Sequence, residues 1–288
     1  MEITNKHNLP EAFVNAVMVG TYAPKPNRTS VTKLIDPPLI TLLLRKHWAE
    51  LKEDAIDRIW AIMGGAWHAI LEKHAPQFTF AELKLITQEQ GIDVVGIADL
   101  MTPKEELIED YKTTSVWGVV LGDKKQIERQ LNLLAAIFRR HGWPVSALRG
   151  NYLLKDWQAR RAHEDDYPSH PIHIIKVPVW PAGLAEEYLV QRVSEYLEQE
   201  AIFNAEGVRD FMECDSESKW EKPMTWAVKV KGVKKAKRVL DSQADAATWM
   251  ADKDLKGSFI EERPGECTRC LNYCPVRSVC PFSKRGAK

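Results

Sequence analysis

The sequence predicts a mixed α/β domain with a helical entry and a C-terminal extension. Three observations carry that prediction. Hydrophobic periodicity runs in the order helix, three strands, helix, strand. The 288 residues, 44% hydrophobic and 28% charged, suit one large globular domain or one domain with appendages. Four cysteines, Cys267, Cys270, Cys274 and Cys280, crowd into a short C-terminal stretch. The expected division is a helical entry over 1–50, a core over 51–205 and an extension over 206–288, joined as one continuous structural unit.

Each element has a local reason. Residues 1–28 carry loop signals. The apolar segment SVTKLIDPPLITLLLRKHW is broken by Pro37 and Pro38, and a helix resumes after them to about Trp48. Residues 52–75 place Ile56, Ile59, Trp60, Met63, Trp67, Ile70 and Leu71 at helical spacing. Gly64 and Gly65 interrupt that pattern, as a break or as a close approach of another backbone. FTFAELKLITQ, GIDVVGIADLMT and EELIEDYKTTSVW read as strands, with TPKE between the last two at hairpin length. Residues 124–141 form an amphipathic helix with basic residues in its last turn, ended by HGWP. VSALRGNYLLKDW and IHIIKVPVWP are further strands, and 183–205 is a helix.

Lys and Arg total 40, as do Asp and Glu, so any nucleic-acid contact must use a local patch. No apolar run approaches the roughly 18–20 residues that span a bilayer. The opening MEITNKHNLPEAF lacks the basic-then-apolar plan of a signal peptide, and a cytoplasmic protein with no membrane partner is expected. No G-x-x-x-x-G-K-[ST] loop marks an ATP motor, so any unwinding must come from a helicase or recombination partner.

The chemistry gathers around LIEDYKTT at 107–114. On a strand Asp110 and Lys112 point to one side and Glu109 to the other. Taken alone, the stretch reads as an exposed strand with a weak ion pair. Asp99 lies on the preceding strand, and a short hairpin can bring it beside Asp110. Two close carboxylates repel unless one is protonated or a cation lies between them. A hard divalent ion with oxygen ligands, Mg²⁺ or Mn²⁺, meets that demand. Lys112 would then stabilise charge developing on a phosphate. His68 and Glu72, at i and i+4, share a helix face. His68 could add a nitrogen ligand, and Glu72 is either a supporting acid or a solvated one.

The segments GGAWHAILE, GIADLM, IEDYKTT and RQLNLLA together resemble the PD-(D/E)XK nucleases. The likeness is to the RecB-type branch that includes the CRISPR-associated adaptation exonuclease and related phage nucleases. It covers roughly residues 30–160. It implies a restriction-endonuclease-like core, a mixed central sheet flanked by helices. It also implies a metal site of His68, Asp99, Asp110 and the Tyr111 carbonyl, with Lys112 catalytic. Gln130 matches the glutamine of the family's helix motif, which holds the active site or the DNA. The tyrosine usual four residues later is Leu134 here.

The tail CTRCLNYCPVRSVCPF spaces its thiols as C-x2-C-x3-C-x5-C, enough to enclose one Zn²⁺ or an iron–sulfur cluster. Relatives in the resembling branch often hold a [4Fe–4S] cluster, using one cysteine before the core and three after it. This chain has no cysteine before Cys214, so Cys267, Cys270, Cys274 and Cys280 would supply all four ligands. Cys214 reads as an isolated free thiol. Residues 229–238, KVKGVKKAKR, form either a phosphate-tracking patch or an edge strand guarded by lysines. Trp226 and Trp249 nearby are either base-stacking or packed. The charged stretch RRAHEDDYPSHP reads as a long loop near the site.

The expected function is a metal-dependent DNA nuclease, more an exonuclease than a site-specific endonuclease. It would act on DNA ends or single-stranded regions in recombination, repair or phage DNA processing. The alternatives are a catalytically inactive nuclease-like module that binds nucleic acid or a partner, and a zinc-ribbon-type interaction protein. An oligomer, such as a ring for processive digestion, is compatible with the sequence.

Overall fold

The computed structural model describes residues 1–18, 23–122 and 124–283. The chain forms two compact units, Met1–Gly207 and Val208–Lys288. Residues 1–50, expected as a helical entry, belong to the first unit. The extension expected from residue 206 falls in the second unit, and residues 284–288 lie outside the described residues. The division follows a long helix that ends at Gly207, whose φ of 79° suits glycine alone.

The first unit begins with β1 (Glu2–Thr4), α1 (Glu11–Met18), β2 (Arg28–Ser30), α2 (Val31–Leu34), α3 (Pro38–His47) and β3 (Lys52–Asp54). β1 and β3 pair in parallel. Then follow α4 (Ile59–Lys73), β4 (Phe80–Glu89), β5 (Ile92–Thr102), β6 (Leu107–Thr114), α5 (Val116–Val120), α6 (Lys125–Arg140), β7 (Ala147–Leu154), β8 (Ile172–Val177) and α7 (Ala182–Glu206). β5 is the hub of a six-stranded mixed sheet. β4 runs antiparallel along its length, β2 pairs with its start and β6 with its end. β6 then runs parallel to β7, and β7 antiparallel to β8.

The core lies between this sheet and α6. Leu131, Leu134, Ile137 and Phe138 of α6 are buried against Val94, Ala98, Met101 and Ile108 of the sheet. Apart from Ala98, each of these side chains contributes about 1.5–3 kcal/mol of burial. Packing is close enough that a Cβ on Gly96 would come 2.9 Å from Leu134 Cδ2. Leu134 therefore fills the core at the place where the resembling family carries tyrosine.

Two expectations for the helix over 52–75 need correction. Residues 52–54 are strand β3, and the Asp54 carboxylate accepts the Ile56 N–H at 3.2 Å, so the α-helix starts only at Ile59. The helix also runs unbroken through Gly64 and Gly65. The neighbour at Gly64 is a side chain, since a Cβ there would lie 3.5 Å from Thr113 Oγ1. The charged stretch expected as a loop is one. It packs on itself, with Trp157 Nε1 donating to the Pro168 carbonyl at 2.8 Å and Tyr167 buried.

The second unit contains α8 (Ser216–Lys219), β9 (Glu221–Lys222), β10 (Thr225–Val230), β11 (Arg238–Leu240), α9 (Gln243–Asp252), β12 (Ser258–Arg263), β13 (Glu266–Cys267) and α10 (Thr268–Asn272). β10 is the middle strand of an antiparallel sheet with β11 and β12, and β13 pairs with β9. The basic stretch 229–238 spans the end of β10 and the turn into β11. Lys229 pairs with Glu261 at 3.0 Å, while Lys231, Lys234, Lys235 and Lys237 are exposed. Trp226 is packed, its Nε1 buried. Among the described residues, no helix is long and apolar enough to cross a membrane.

Candidate active site

The site is built first by a hairpin turn. β4 and β5 are joined by Gln90 and Gly91, both left-handed (φ 47° and 81°), the combination a tight two-residue turn requires. That turn sets Glu89 opposite Ile92, Leu83 opposite Ala98 and Ala81 opposite Leu100. Between the last two pairs stand Glu82 and Asp99. Glu82 is itself left-handed, at φ 49°, inside a strand. For a residue with a side chain this costs on the order of 1–2 kcal/mol.

A second feature opens the space. β5 and β6 pair only from Thr102↔Leu107 to Leu100↔Glu109. The next residues, Asp99 and Asp110, are where the strands part. The Tyr111 N–H turns to the Asp99 carboxylate, donating to Oδ2 at 2.5 Å. Burial pushes the Asp99 carboxyl up to about 6, and the neighbouring Asp110 charge adds to this. The bond from Tyr111 and the charges of His68 and Lys112 act in the opposite direction.

On β6, Asp110 and Lys112 do share a side. Lys112 Nζ donates to Asp110 Oδ1 at 3.0 Å and lies 2.9 Å from Oδ2. Gln130, buried on α6, donates its Nε2 to the same Oδ1 at 2.7 Å. Asp110 Oδ2 is buried, with the Lys112 ammonium as its ion-pair partner. Glu109 faces away, held by Arg149 at 3.1 Å and Asn151 at 3.0 Å. Gln130→Ala should therefore destabilise the metal-free fold by about 1–3 kcal/mol, because a buried carboxylate loses a donor. Urea unfolding checks this, and an unchanged midpoint would contradict it.

His68 comes from α4. Its Nε2 lies 2.9 Å from the Tyr111 carbonyl. Its Nδ1 faces Glu82 Oε1 at 3.5 Å and Asp99 Oδ1 at 3.6 Å. Ligand atoms of His68, Glu82 and Asp99 all lie within 4.8 Å of one another. The structure thus brings together His68, Asp99, Asp110, Tyr111, Lys112 and Gln130, the residues singled out in the sequence. Asp110 stands outside the tightest three-residue group. Glu72 is exposed on α4, and the acid that meets His68 is Glu82 instead.

Two residues of the site escaped the sequence reading. Glu82 was legible in principle, because a two-residue Gln-Gly turn fixes which β4 residue faces Asp99. Tyr152, on β7, is the other. Burial pushes its phenol up to about 12, with the Asp110 charge adding, so it remains a neutral hydroxyl at neutral pH. Nothing in VSALRGNYLLKDW distinguishes it from an ordinary strand tyrosine.

No protein-family model and no curated relative matches the sequence. Among solved structures the chain is similar to SSO0001, with a TM-score of 0.43 and 15% identity over 63% of this chain and 83% of that one. A likeness of that strength carries no argument about function.

The second unit holds a separate cluster of thiols. Cys214 takes part in no disulfide, but it is not isolated. Burial pushes its thiol up to about 12, and the charges of Cys274, Cys280 and Cys270 add to the effect. Cys270 is raised by burial and then by Cys274, Cys267 and Cys280. The backbone explains the gathering. β13 pairs with β9 through Cys267↔Glu221, and the Thr268 N–H donates to the Trp220 carbonyl at 3.3 Å. The segment after Cys214 is thereby laid against the cysteine tail. Thiols that raise one another's pKa are an arrangement that a bound metal resolves.

Proposed function

We propose that the chain is a metal-dependent DNA nuclease of the PD-(D/E)XK type, acting as an exonuclease. The observation that carries this reading is the convergence of Asp99, Asp110, Lys112 and His68 where β5 and β6 part. The order α4, β4, β5, β6, α6, β7, with the acids on the second and third strands, supports the same assignment.

The donor set fits a divalent ion: two neighbouring carboxylates, of which Asp99 is raised by burial and then by the Asp110 charge, and a histidine. Bound Mg²⁺ or Mn²⁺ supplies a Lewis acid for a phosphoryl oxygen and lowers the pKa of a water. The protein's own groups do the rest. Asp99 and Asp110 hold the charge. Gln130 fixes Asp110, and the Tyr111 N–H fixes Asp99. Lys112, next to Asp110 and partly exposed, neutralises charge that develops on the phosphate as the phosphodiester bond breaks.

The cysteine cluster serves a structural role in this reading. Five thiols are candidates for the ligands, Cys214 among them. Four thiolates about 2.3 Å from one zinc stand about 3.8 Å apart. Either that ion or a [4Fe–4S] cluster would take four of these thiols.

The test is incubation of anaerobically purified protein with end-labelled single- and double-stranded DNA in Mn²⁺, Mg²⁺ or EDTA. Degradation that needs the metal is expected, and the product ladder reports polarity. Intact DNA in both metals, with protein that still binds it, would instead identify an inactive nucleic-acid-binding module.

A further inference from the structure

We propose that Glu82 joins His68 Nδ1 and Asp99 as a ligand in the divalent-cation site, with the Tyr111 carbonyl orienting the histidine. Neither the motif resemblance nor the sequence pattern assigns Glu82 any role. The inference rests on the metal-dependent reading of this site and specifies its ligands.

The histidine geometry comes first. A carbonyl oxygen only accepts, so the 2.9 Å contact to Tyr111 O places the proton of a neutral imidazole on Nε2. The Nδ1 lone pair then points at two carboxylates. Its distances of 3.5 Å to Glu82 and 3.6 Å to Asp99 are too long for hydrogen bonds. They do match the separations of ligands around one ion. Ligands about 2.1 Å from a cation stand about 3 Å apart at right angles and about 4.2 Å apart when opposed. A histidine that binds metal through one nitrogen and donates the other N–H to a backbone carbonyl is the usual arrangement of metal-bound imidazoles.

Glu82 is placed there at a cost. It is left-handed with intact pairs on either side of it, Ala81↔Leu100 and Leu83↔Ala98, so no turn or chain end demands the conformation. The rotation puts its carboxylate opposite Asp99. Next to this group, Asp110 is buried and ion-paired, with Lys112 Nζ 2.9 Å from its Oδ2. Its other oxygen is already engaged by Lys112 and Gln130. One nitrogen and two carboxylates form a mixed donor set, which favours Mn²⁺ over Mg²⁺.

Mn²⁺ titration of the full chain without nucleic acid, read by calorimetry and by the electron paramagnetic resonance signal of free Mn²⁺, tests this. Wild-type protein should bind, and Glu82→Gln should weaken binding at least tenfold with an unchanged metal-free melting temperature. Glu82→Gly should lose affinity as much while raising that melting temperature, since glycine accepts the left-handed backbone. Asp99→Asn should abolish binding. Affinity within twofold of wild type in Glu82→Gln, or no Mn²⁺ binding by wild type, would overturn the proposal. Binding that depends on Glu82 in a protein that cleaves no DNA would leave this site standing and sink the nuclease reading alone.

Discussion

Asp99→Asn should abolish DNA cleavage and at the same time stabilise the metal-free protein at neutral pH. The first effect follows from removing a charged ligand at the point where β5 and β6 part, and a loss of about a thousandfold or more is expected. The second follows from linkage. An unfolded aspartate titrates near 3.8, whereas the folded carboxyl is raised to about 6, by burial first and by Asp110 second. Between those values the native state holds a proton that the unfolded chain has released. Stability contributed by the protonated form is therefore present at low pH and lost as pH rises through 6. At about 1.4 kcal/mol per unit, charged Asp99 costs on the order of 2–3 kcal/mol above pH 6. Asparagine removes that cost and can still accept the Tyr111 N–H. Thermal melts of both proteins in EDTA at pH 5 and pH 7.5 check this. The variant should gain most at pH 7.5. Equal gains at both pH values would show that Asp99 is not under electrostatic strain.

On the proposed reading, loss of the metal that the cysteines would hold should unfold the second unit and spare the first. The reason is the size of its core. Among its described residues, the buried apolar side chains besides Cys267 are Met212, Ala227, Val228, Ala246, Val276 and Phe282. Two of those are alanines. A core of this size does not hold a unit without a staple. Cys270 stands among Cys274, Cys267 and Cys280, so Cys270→Ser removes a central thiol. The expected result is protein purified without its metal, with rapid hydrogen exchange across residues 208–283 and unchanged protection of β5, β6 and α6. Full protection of the second unit in metal-free protein would contradict the structural role.

Much of the first unit could be read from the sequence because its signals are local. The alternation in GIDVVGIADLMT and LIEDYKTT gives strands, and the side-sharing of Asp110 and Lys112 follows from the pleat alone. Gln130 was singled out by the resemblance of RQLNLLA to the family's helix motif, and its buried side chain meets Asp110. What the sequence concealed depends on register or on distant segments meeting. In the sequence Glu82 looks like any strand glutamate; its left-handed backbone and its place across from Asp99 emerge only with the register. Cys214 lies more than fifty residues before the other thiols, and only the β9–β13 pairing brings its segment to them. The start of α4 was misplaced because Ile56 fits the helical stripe, whereas Asp54 caps a short 3₁₀ turn there. Tyr152 is a site residue only because Asp110 is its neighbour.

The central claim is that the site hydrolyses DNA through Lys112 beside a metal held by other residues. The most direct measurement is cleavage of end-labelled DNA by Lys112→Ala, compared with wild type at saturating Mn²⁺. Lys112 is no ligand in this account, so the variant should bind Mn²⁺ with near wild-type affinity and cleave about a hundredfold more slowly or worse. Cleavage at the wild-type rate by folded, Mn²⁺-bound Lys112→Ala would contradict the account.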